Sequence, residues 1–86
     1  MIFLDIIVSS MFRRQIKHLD GQTKVKFKKQ IIKILAKPTI GKPLKYGLRG
    51  ERSLRLPPFR IVYSYNSNKA ELVFLKFDHR STVYGE

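Results

Sequence analysis

The chain has 86 residues and no cysteine, and 18 Lys and Arg against 6 Asp and Glu give a formal net charge of +12. This length predicts one domain with one modest core, and the lack of cysteine excludes a disulfide framework and a zinc knuckle. Two histidines and scattered carboxylates argue against a dedicated metal site, whereas 43% hydrophobic residues indicate a folded chain. The charge predicts a polyanionic partner, either nucleic acid, an anionic membrane or an acidic protein, unless it only keeps the surface solvated.

The first predicted element is a strand over Ile2–Val8, within the apolar opening MIFLDIIV. This segment is too short to span a bilayer, has no basic residues before its apolar part and contains Asp5. It is therefore predicted to be a buried strand rather than a signal peptide. Together with the lack of cysteine, this predicts a cytoplasmic protein.

Two helices are predicted next from the spacing of apolar residues. The first follows Ser9 or Ser10, either of which can cap it, and continues until an Asp-Gly pair breaks it at residues 20–21. The second is predicted over Gln22–Lys37, where Pro38 ends it. The short connection predicts an antiparallel helix hairpin, and because each helix is apolar on one side only, the hairpin must pack against another layer.

Three strands are predicted in the second half, over Leu48–Leu56, Phe59–Asn66 and Ala70–Phe77. Turns are expected at Pro57-Pro58 and at the Asn-Ser-Asn of residues 66–68. The predicted fold is therefore α+β, with an N-terminal strand, a two-helix hairpin and a three-stranded antiparallel meander. The strands form one sheet with the helices packed on one face, and residues 1–86 form a single domain.

A two-residue turn at Pro57-Pro58 places Arg55 directly opposite Arg60. Alternation along the strands then predicts an apolar face that carries the helices, made of Leu54, Leu56, Phe59, Ile61, Tyr63 and Tyr65. The other face is polar and open, with Glu51, Ser53, Arg55, Arg60 and Ser64. Because like charges directly opposite are destabilising, either Glu51 or Asp78 neutralises the arginines or they bind an anion such as phosphate.

Three motifs resemble those of the RelE/ParE superfamily of bacterial and archaeal toxins, and the resemblance spans essentially the whole chain. They are GLRG, LRLPPFRIVYSY and the closing FDHRSTVY. The resemblance implies a ribonuclease without metal or cofactor that enters the ribosomal A site and cuts messenger RNA through attack by the RNA's own 2′-hydroxyl. It also implies an acidic, partly disordered antitoxin that wraps the toxin, and neither a membrane nor a small-molecule partner.

The resemblance also assigns roles to residues. Arg60 matches the arginine that stabilises the phosphate in the transition state, and Arg55 matches the basic residue before the turn. Arg80 matches an arginine that contacts phosphate or leaving group, and Tyr84 matches a tyrosine that stacks on a base or assists proton transfer. Basic residues expected along the RNA path are Arg49, Arg52, Lys45, Lys29 and Lys33, although the helix lysines could equally serve only solubility.

Two departures from the family pattern leave other functions open. Some ribonuclease members carry lysines on the second strand, where this chain has Glu51 and Ser53, so Glu51 and His79 are the alternative general bases. In addition, Pro57-Pro58 stands where relatives often have a Gly-containing turn, which leaves the two-residue register open. A ParE-like inhibitor of DNA gyrase on the same fold and a non-enzymatic RNA-binding module are the alternative functions.

Overall fold

A computed structural model of the protein describes residues 3–44 and 50–79, which form a five-stranded sheet with two helices against one face. The strands are β1 (Asp5–Val8), β2 (Lys42–Pro43), β3 (Glu51–Leu56), β4 (Phe59–Asn66) and β5 (Glu71–His79), and the helices are α1 (Ser10–Gln15) and α2 (Gly21–Ala36). The order across the sheet is β1-β5-β4-β3-β2. Neighbouring strands are antiparallel except β1, which lies parallel to β5. The predicted α+β class is confirmed, with one strand more than expected.

Two elements differ from the prediction for local reasons. The additional strand, β2, has only two residues, which is too short to produce an alternating pattern, and it pairs with Ser53 and Arg52 of β3. Helix α1 ends at Gln15, well before the predicted break, although Leu19 still packs against the core. Apolar residues beyond the last helical turn continue the spacing of a helix, and the sequence therefore predicted a longer α1 than the structure has.

Polar side chains fix where both helices begin. The Ser9 hydroxyl accepts a hydrogen bond from the Phe12 backbone N–H at 3.0 Å and thereby caps α1. Asp20 caps α2 in the same way, accepting from the Thr23 N–H at 3.4 Å. This hydrogen bonding with Thr23 lowers the pKa of the Asp20 carboxyl, because it favours the charged form.

The hydrophobic core lies between the helices and one face of the sheet. Phe12 of α1 stacks on Phe74 of β5 with ring centroids 5.2 Å apart, and Phe27 of α2 meets Phe77 edge-on at 5.4 Å. The predicted apolar face is confirmed, because all six of its residues belong to this core or pack against it: Leu54, Leu56, Phe59, Ile61, Tyr63 and Tyr65.

Helix α1 also completes the edge of the sheet. Strand β1 pairs with β5 only as far as Phe74, so the rest of the β5 edge needs other partners. Ser9 donates from its backbone N–H to the Phe74 carbonyl at 3.0 Å and from its hydroxyl to the Leu75 carbonyl at 2.6 Å. Six residues further along the chain, the Gln15 side-chain oxygen accepts from the Phe77 N–H at 2.7 Å. The beginning and the end of α1 thus replace a neighbouring strand.

The segment after α2 is anchored by the Tyr63 hydroxyl. This hydroxyl accepts from the Gly41 N–H at 2.8 Å and donates to the Pro38 carbonyl at 2.7 Å. Arg52 adds bonds from its guanidinium to the carbonyls of Gly41 at 2.8 Å and Thr39 at 3.2 Å. A Cβ on Gly41 would lie 2.5 Å from the Tyr63 oxygen, so only glycine fits here. Burial raises the pKa of the Tyr63 phenol.

Candidate nucleic-acid interface

The face of the sheet opposite the helices, called the open face from here on, carries a row of charged side chains. The predicted two-residue turn is present at Pro57-Pro58, with a cis bond between the prolines, and Arg55 lies directly opposite Arg60. On the other side of Arg60, β5 places Asp78 directly opposite. One row of the open face therefore contains Asp78, Arg60 and Arg55, and two guanidinium groups can approach one anion there.

A second row lies next to the first and is basic at both ends. Val62 stands opposite Lys76 of β5 and Ser53 of β3, and Ser53 in turn pairs with Lys42 of β2. Val62 and Ser53 are buried at 3% and 8% exposure. Together with the arginine pair, basic residues on four strands therefore surround the buried side chains of Val62 and Ser53, and this concentration of positive charge favours the binding of anions.

The acids on this face lie at its margins. Asp78 Oδ1 accepts from the Gln15 side-chain nitrogen at 2.8 Å, and its Oδ2 lies 3.8 Å from Lys76 Nζ. Glu51 pairs with Ser64 at the other end of β3, about 13 Å along the strand from Arg55. Both carboxylates therefore share the open face with the Arg55–Arg60 pair, and Asp78 is held on the side of β5.

Other predicted site residues lie away from this face. His79 stands opposite Phe59 on the side of the helices, with the two rings edge-to-face at 5.5 Å, so alternation separates it from Arg60. Arg52 also lies on the helix side and donates to backbone carbonyls. Lys29 and Lys33 are exposed on α2, across the sheet from the arginine pair.

Four further predicted residues lie outside the described part of the chain, namely Lys45, Arg49, Arg80 and Tyr84. Within residues 3–44 and 50–79, no group of three or more His, Asp or Glu side chains is arranged to hold a metal ion. Nor does either helix in these two ranges have the length and apolar character needed to cross a membrane.

The structure adds two residues to the open face that the sequence did not single out. Lys76 lies opposite Val62, two residues before Asp78 in a regular stretch of the β4–β5 register, and it therefore shares the open face with Asp78. Gln15 reaches Asp78 from the end of α1, across 63 positions of sequence. No local pattern signals such a contact.

Comparison with known proteins places these features in a family. The family described as "ParE toxin of type II toxin-antitoxin system, parDE" matches residues 6–84. Toxin RelG of Mycobacterium tuberculosis (strain ATCC 25618 / H37Rv) is 36% identical over 45 residues, which cover 52% of this chain and 52% of RelG. The matched segment therefore spans about half the length of that relative.

Solved structures share the fold at low sequence identity. The toxin–antitoxin complex RelBE2 from Mycobacterium tuberculosis contains a chain that is 24% identical, with a TM-score of 0.73 over 90% of this chain and 98% of that one. The intact E. coli RelBE complex gives 15% identity and a TM-score of 0.75 over 90% of this chain and 96% of its counterpart. The predicted relation to the RelE/ParE superfamily is thereby confirmed.

Proposed function

We propose that this chain, which belongs to the ParE toxin family of type II toxin–antitoxin systems, is a toxin that cuts messenger RNA in the ribosomal A site without a metal or cofactor. The observation that carries this proposal is the Arg55–Arg60 pair on the open face. Two guanidinium groups on adjacent strands match the charge of a phosphate that gains negative charge in the transition state.

In the proposed reaction, the 2′-hydroxyl of the RNA forms a bond to the adjacent phosphorus while the bond to the 5′ oxygen breaks. The products are a cyclic phosphate and a free 5′-hydroxyl. Arg55 and Arg60 stabilise the phosphate oxygens, each by about 3–4 kcal/mol if well aimed. Glu51 and His79 remain the alternative acceptors of the 2′-hydroxyl proton, since Glu51 shares the open face but lies about 13 Å along β3 from Arg55, and His79 lies on the helix side. Arg80 remains proposed to contact the phosphate or the leaving group, and Tyr84 to stack on a base or to assist proton transfer.

The proposed partners follow from the positive charge of the chain and from its membership in a toxin–antitoxin family. Both of the solved structures described above are toxin–antitoxin complexes. We therefore expect an antitoxin with an acidic segment that covers part of this +12 chain. The ribosome and its messenger RNA are the proposed targets, which places the activity in the cytoplasm.

The test is primer extension on ribosomes that hold a defined messenger RNA and an empty A site. The wild type should produce a cut confined to the A site and leave naked RNA intact. Arg60→Ala should slow cleavage about 10²–10³-fold, because it removes a transition-state donor. Arg80→Ala is run alongside to test the closing motif. Lys24→Ala, which removes one positive charge from an exposed position of α2, is the matched control and should cleave at nearly the wild-type rate.

A second candidate is inhibition of DNA gyrase, and two observations favour it. The first is that the matching family is described as the ParE toxin of type II toxin–antitoxin systems. The second is that Glu51 and Ser53 occupy the open-face positions of β3 at which some ribonuclease relatives carry lysines. No cleavage on competent ribosomes together with inhibition of gyrase supercoiling would establish this function instead. Binding of RNA without cleavage or gyrase inhibition would indicate the non-enzymatic RNA-binding module.

A further inference from the structure

Helix α2 has apolar side chains on two opposite sides. On the core side, Ile34 is completely buried, and Phe27 and Ile31 pack against the same core. Val25 and Ile32 point about 160–180° away from Ile34, because the helix has about 3.6 residues per turn. Their exposed fractions are 55% and 64%. More than half of each of these two side chains is therefore in contact with solvent within the described structure.

Leu35 and two lysines complete this second side. Leu35 follows Ile32 by three residues and is 39% exposed, and the exposed Lys28 and Lys29 are each three or four residues from both Val25 and Ile32. Residues three and four apart are neighbours on a helix, so these five side chains form one surface, called the outer face of α2 from here on. The α2 sequence GQTKVKFKKQIIKILA contains no Asp or Glu that could pair with the lysines from within the helix.

The composition of the outer face of α2 indicates what kind of molecule fits it. A nucleic acid would pair with Lys28 and Lys29 but would leave Val25 and Ile32 without an apolar partner. None of the five side chains is an aromatic ring on which a base could stack. A protein segment with apolar residues at its centre and carboxylates at its sides satisfies both kinds of side chain. An acidic protein segment therefore fits this surface better than RNA does.

The spacing of the apolar residues indicates the conformation of that segment. Val25 and Ile32 are seven residues apart, which is about 10.5 Å along the helix axis. A partner helix that lies along α2 presents residues i and i+7 with the same rise, whereas an extended segment presents side chains on one side about every 7 Å. A helix can therefore place one apolar side chain over Val25 and another over Ile32, and a strand cannot.

We propose that the outer face of α2 is a docking surface for an acidic amphipathic helix of a partner protein. The apolar residues of that helix contact Val25, Ile32 and Leu35, and its Asp and Glu side chains pair with Lys28 and Lys29. The inference rests on the proposed function only for the identity of the partner, which is then the antitoxin. It adds the surface that the partner covers and the conformation in which it binds.

The test is fluorescence anisotropy with a synthetic fluorescein-labelled peptide of about 20 residues, which is about 30 Å long as a helix. This matched peptide has leucines at i, i+3 and i+7 on one side and glutamates beside them. A control peptide has the same residues in an order that distributes the leucines around the helix. The wild type should bind the matched peptide at least about 10-fold more tightly, because both peptides attract the lysines but only the matched peptide covers the apolar residues.

Variants locate the binding on the outer face of α2. Ile32→Gln should weaken binding of the matched peptide about 10-fold, because it removes an apolar contact at the centre of the face. Met11→Gln makes the same kind of change at an exposed apolar residue of α1 and should weaken binding less than about 2-fold. Lys28→Gln should weaken binding about 3-fold, as expected for one exposed ion pair, and this effect alone should disappear at about 0.5 M salt.

Two results with the peptides would overturn the inference. One is equal affinity of the wild type for the matched and control peptides. The other is equal weakening by Ile32→Gln and Met11→Gln in variants with the circular dichroism and thermal midpoint of the wild type. If Ile32→Gln does not fold, Val25→Gln takes its place with the same expected result.

Two further measurements would assign the outer face of α2 to a different occupant and so overturn the inference. Self-association of the wild type in light scattering, abolished by Ile32→Gln, would show that a second copy of the chain covers this face. A loss of affinity for single-stranded RNA in Ile32→Gln that equals its loss for the matched peptide would show that RNA binds there.

The failure of this inference can be distinguished from the failure of the proposed function, because peptide binding needs neither ribosomes nor cleavage. If the wild type does not cut messenger RNA but the peptide results hold, the ribonuclease proposal fails and the docking surface stands. If the wild type cuts messenger RNA but binds the matched and control peptides equally, only the docking surface fails.

Discussion

The helix-covered face and the open face of the sheet are formed by the same three long strands, but the side chains on the two faces make different kinds of contact. On the helix side, Ile61, Tyr63 and Leu72 are completely buried, and both helices contribute aromatic rings to them. On the open side, Arg55 and Arg60 stand directly opposite each other, in a row that also contains Asp78. The contacts that stabilise the fold and the residues of the proposed function therefore lie on opposite sides of the same strands. A substitution on one side should change either the stability or the activity, but not both.

The largest expected effect comes from opening the aromatic core. Phe74→Ala should lower the free energy of unfolding by about 3–5 kcal/mol, because it removes the ring that stacks on Phe12 and leaves a cavity. Urea denaturation followed by circular dichroism measures this loss. Ser64→Ala, on the open face of the adjacent strand, should cost less than about 0.5 kcal/mol. Similar losses in the two variants would contradict the division between faces.

A smaller loss of stability is expected when the Tyr63 hydroxyl, which anchors the segment after α2, is removed. Tyr63→Phe should destabilise the protein by about 1–3 kcal/mol, because it leaves the buried Gly41 N–H without its acceptor. The measurement is the shift of the urea midpoint relative to Tyr65→Phe, which removes a hydroxyl from the same face. No difference between the two would show that the anchor contributes little.

Loss of the α1 cap should have a smaller effect still. Ser9→Ala removes the acceptor for the Phe12 N–H and the donor to the Leu75 carbonyl, and should cost about 1–2 kcal/mol. Thermal unfolding of Ser9→Ala beside Ser10→Ala gives the comparison, since the exposed Ser10 is the first helical residue and not the cap. A larger loss in Ser10→Ala would mean that the cap is misassigned.

The smallest expected effect is a dependence on alkaline pH. Burial raises the pKa of Tyr63 above its usual value of 10.0, so the unfolded chain releases this proton first. The protonated Tyr63 phenol contributes fully to the stability of the fold below about pH 10, and this contribution is lost as the pH rises through the raised pKa of Tyr63. Unfolding midpoints between about pH 9 and about pH 11 should therefore fall more steeply in the wild type than in Tyr63→Phe. Parallel profiles would exclude Tyr63 as the titrating group.

Most of the fold could be predicted because its signals are local. Alternation over β3 and β4, together with the two-residue turn at Pro57-Pro58, placed Arg55 opposite Arg60 and identified the apolar face. The end of α1 and the strand β2 were missed, because a short helix and a two-residue strand are decided by tertiary contacts. The parallel pairing of β1 with β5 is equally non-local.

The candidate site was less predictable, since side chains meet there from distant elements. Alternation predicted that Arg55, Arg60 and Glu51 share the open face, as they do in the structure, whereas His79 lies on the other face beside Phe59. For Arg52, which was expected along the RNA path, the sequence did not predict the hydrogen bonds from its guanidinium to the carbonyls of Thr39 and Gly41. Gln15 carries no sequence signal, because its contacts to Phe77 and Asp78 arise only from the docking of α1.

One paired measurement tests the division between the two faces most directly. Arg60→Gln and Arg52→Gln each remove one positive charge, the first from the open face and the second from the helix side. Both are compared with wild type for the urea midpoint and for A-site cleavage on ribosomes. The account predicts that Arg60→Gln keeps the midpoint and loses cleavage about 10²–10³-fold, and that Arg52→Gln lowers the midpoint and keeps cleavage in its folded fraction. Equal effects of the two variants on cleavage would contradict it.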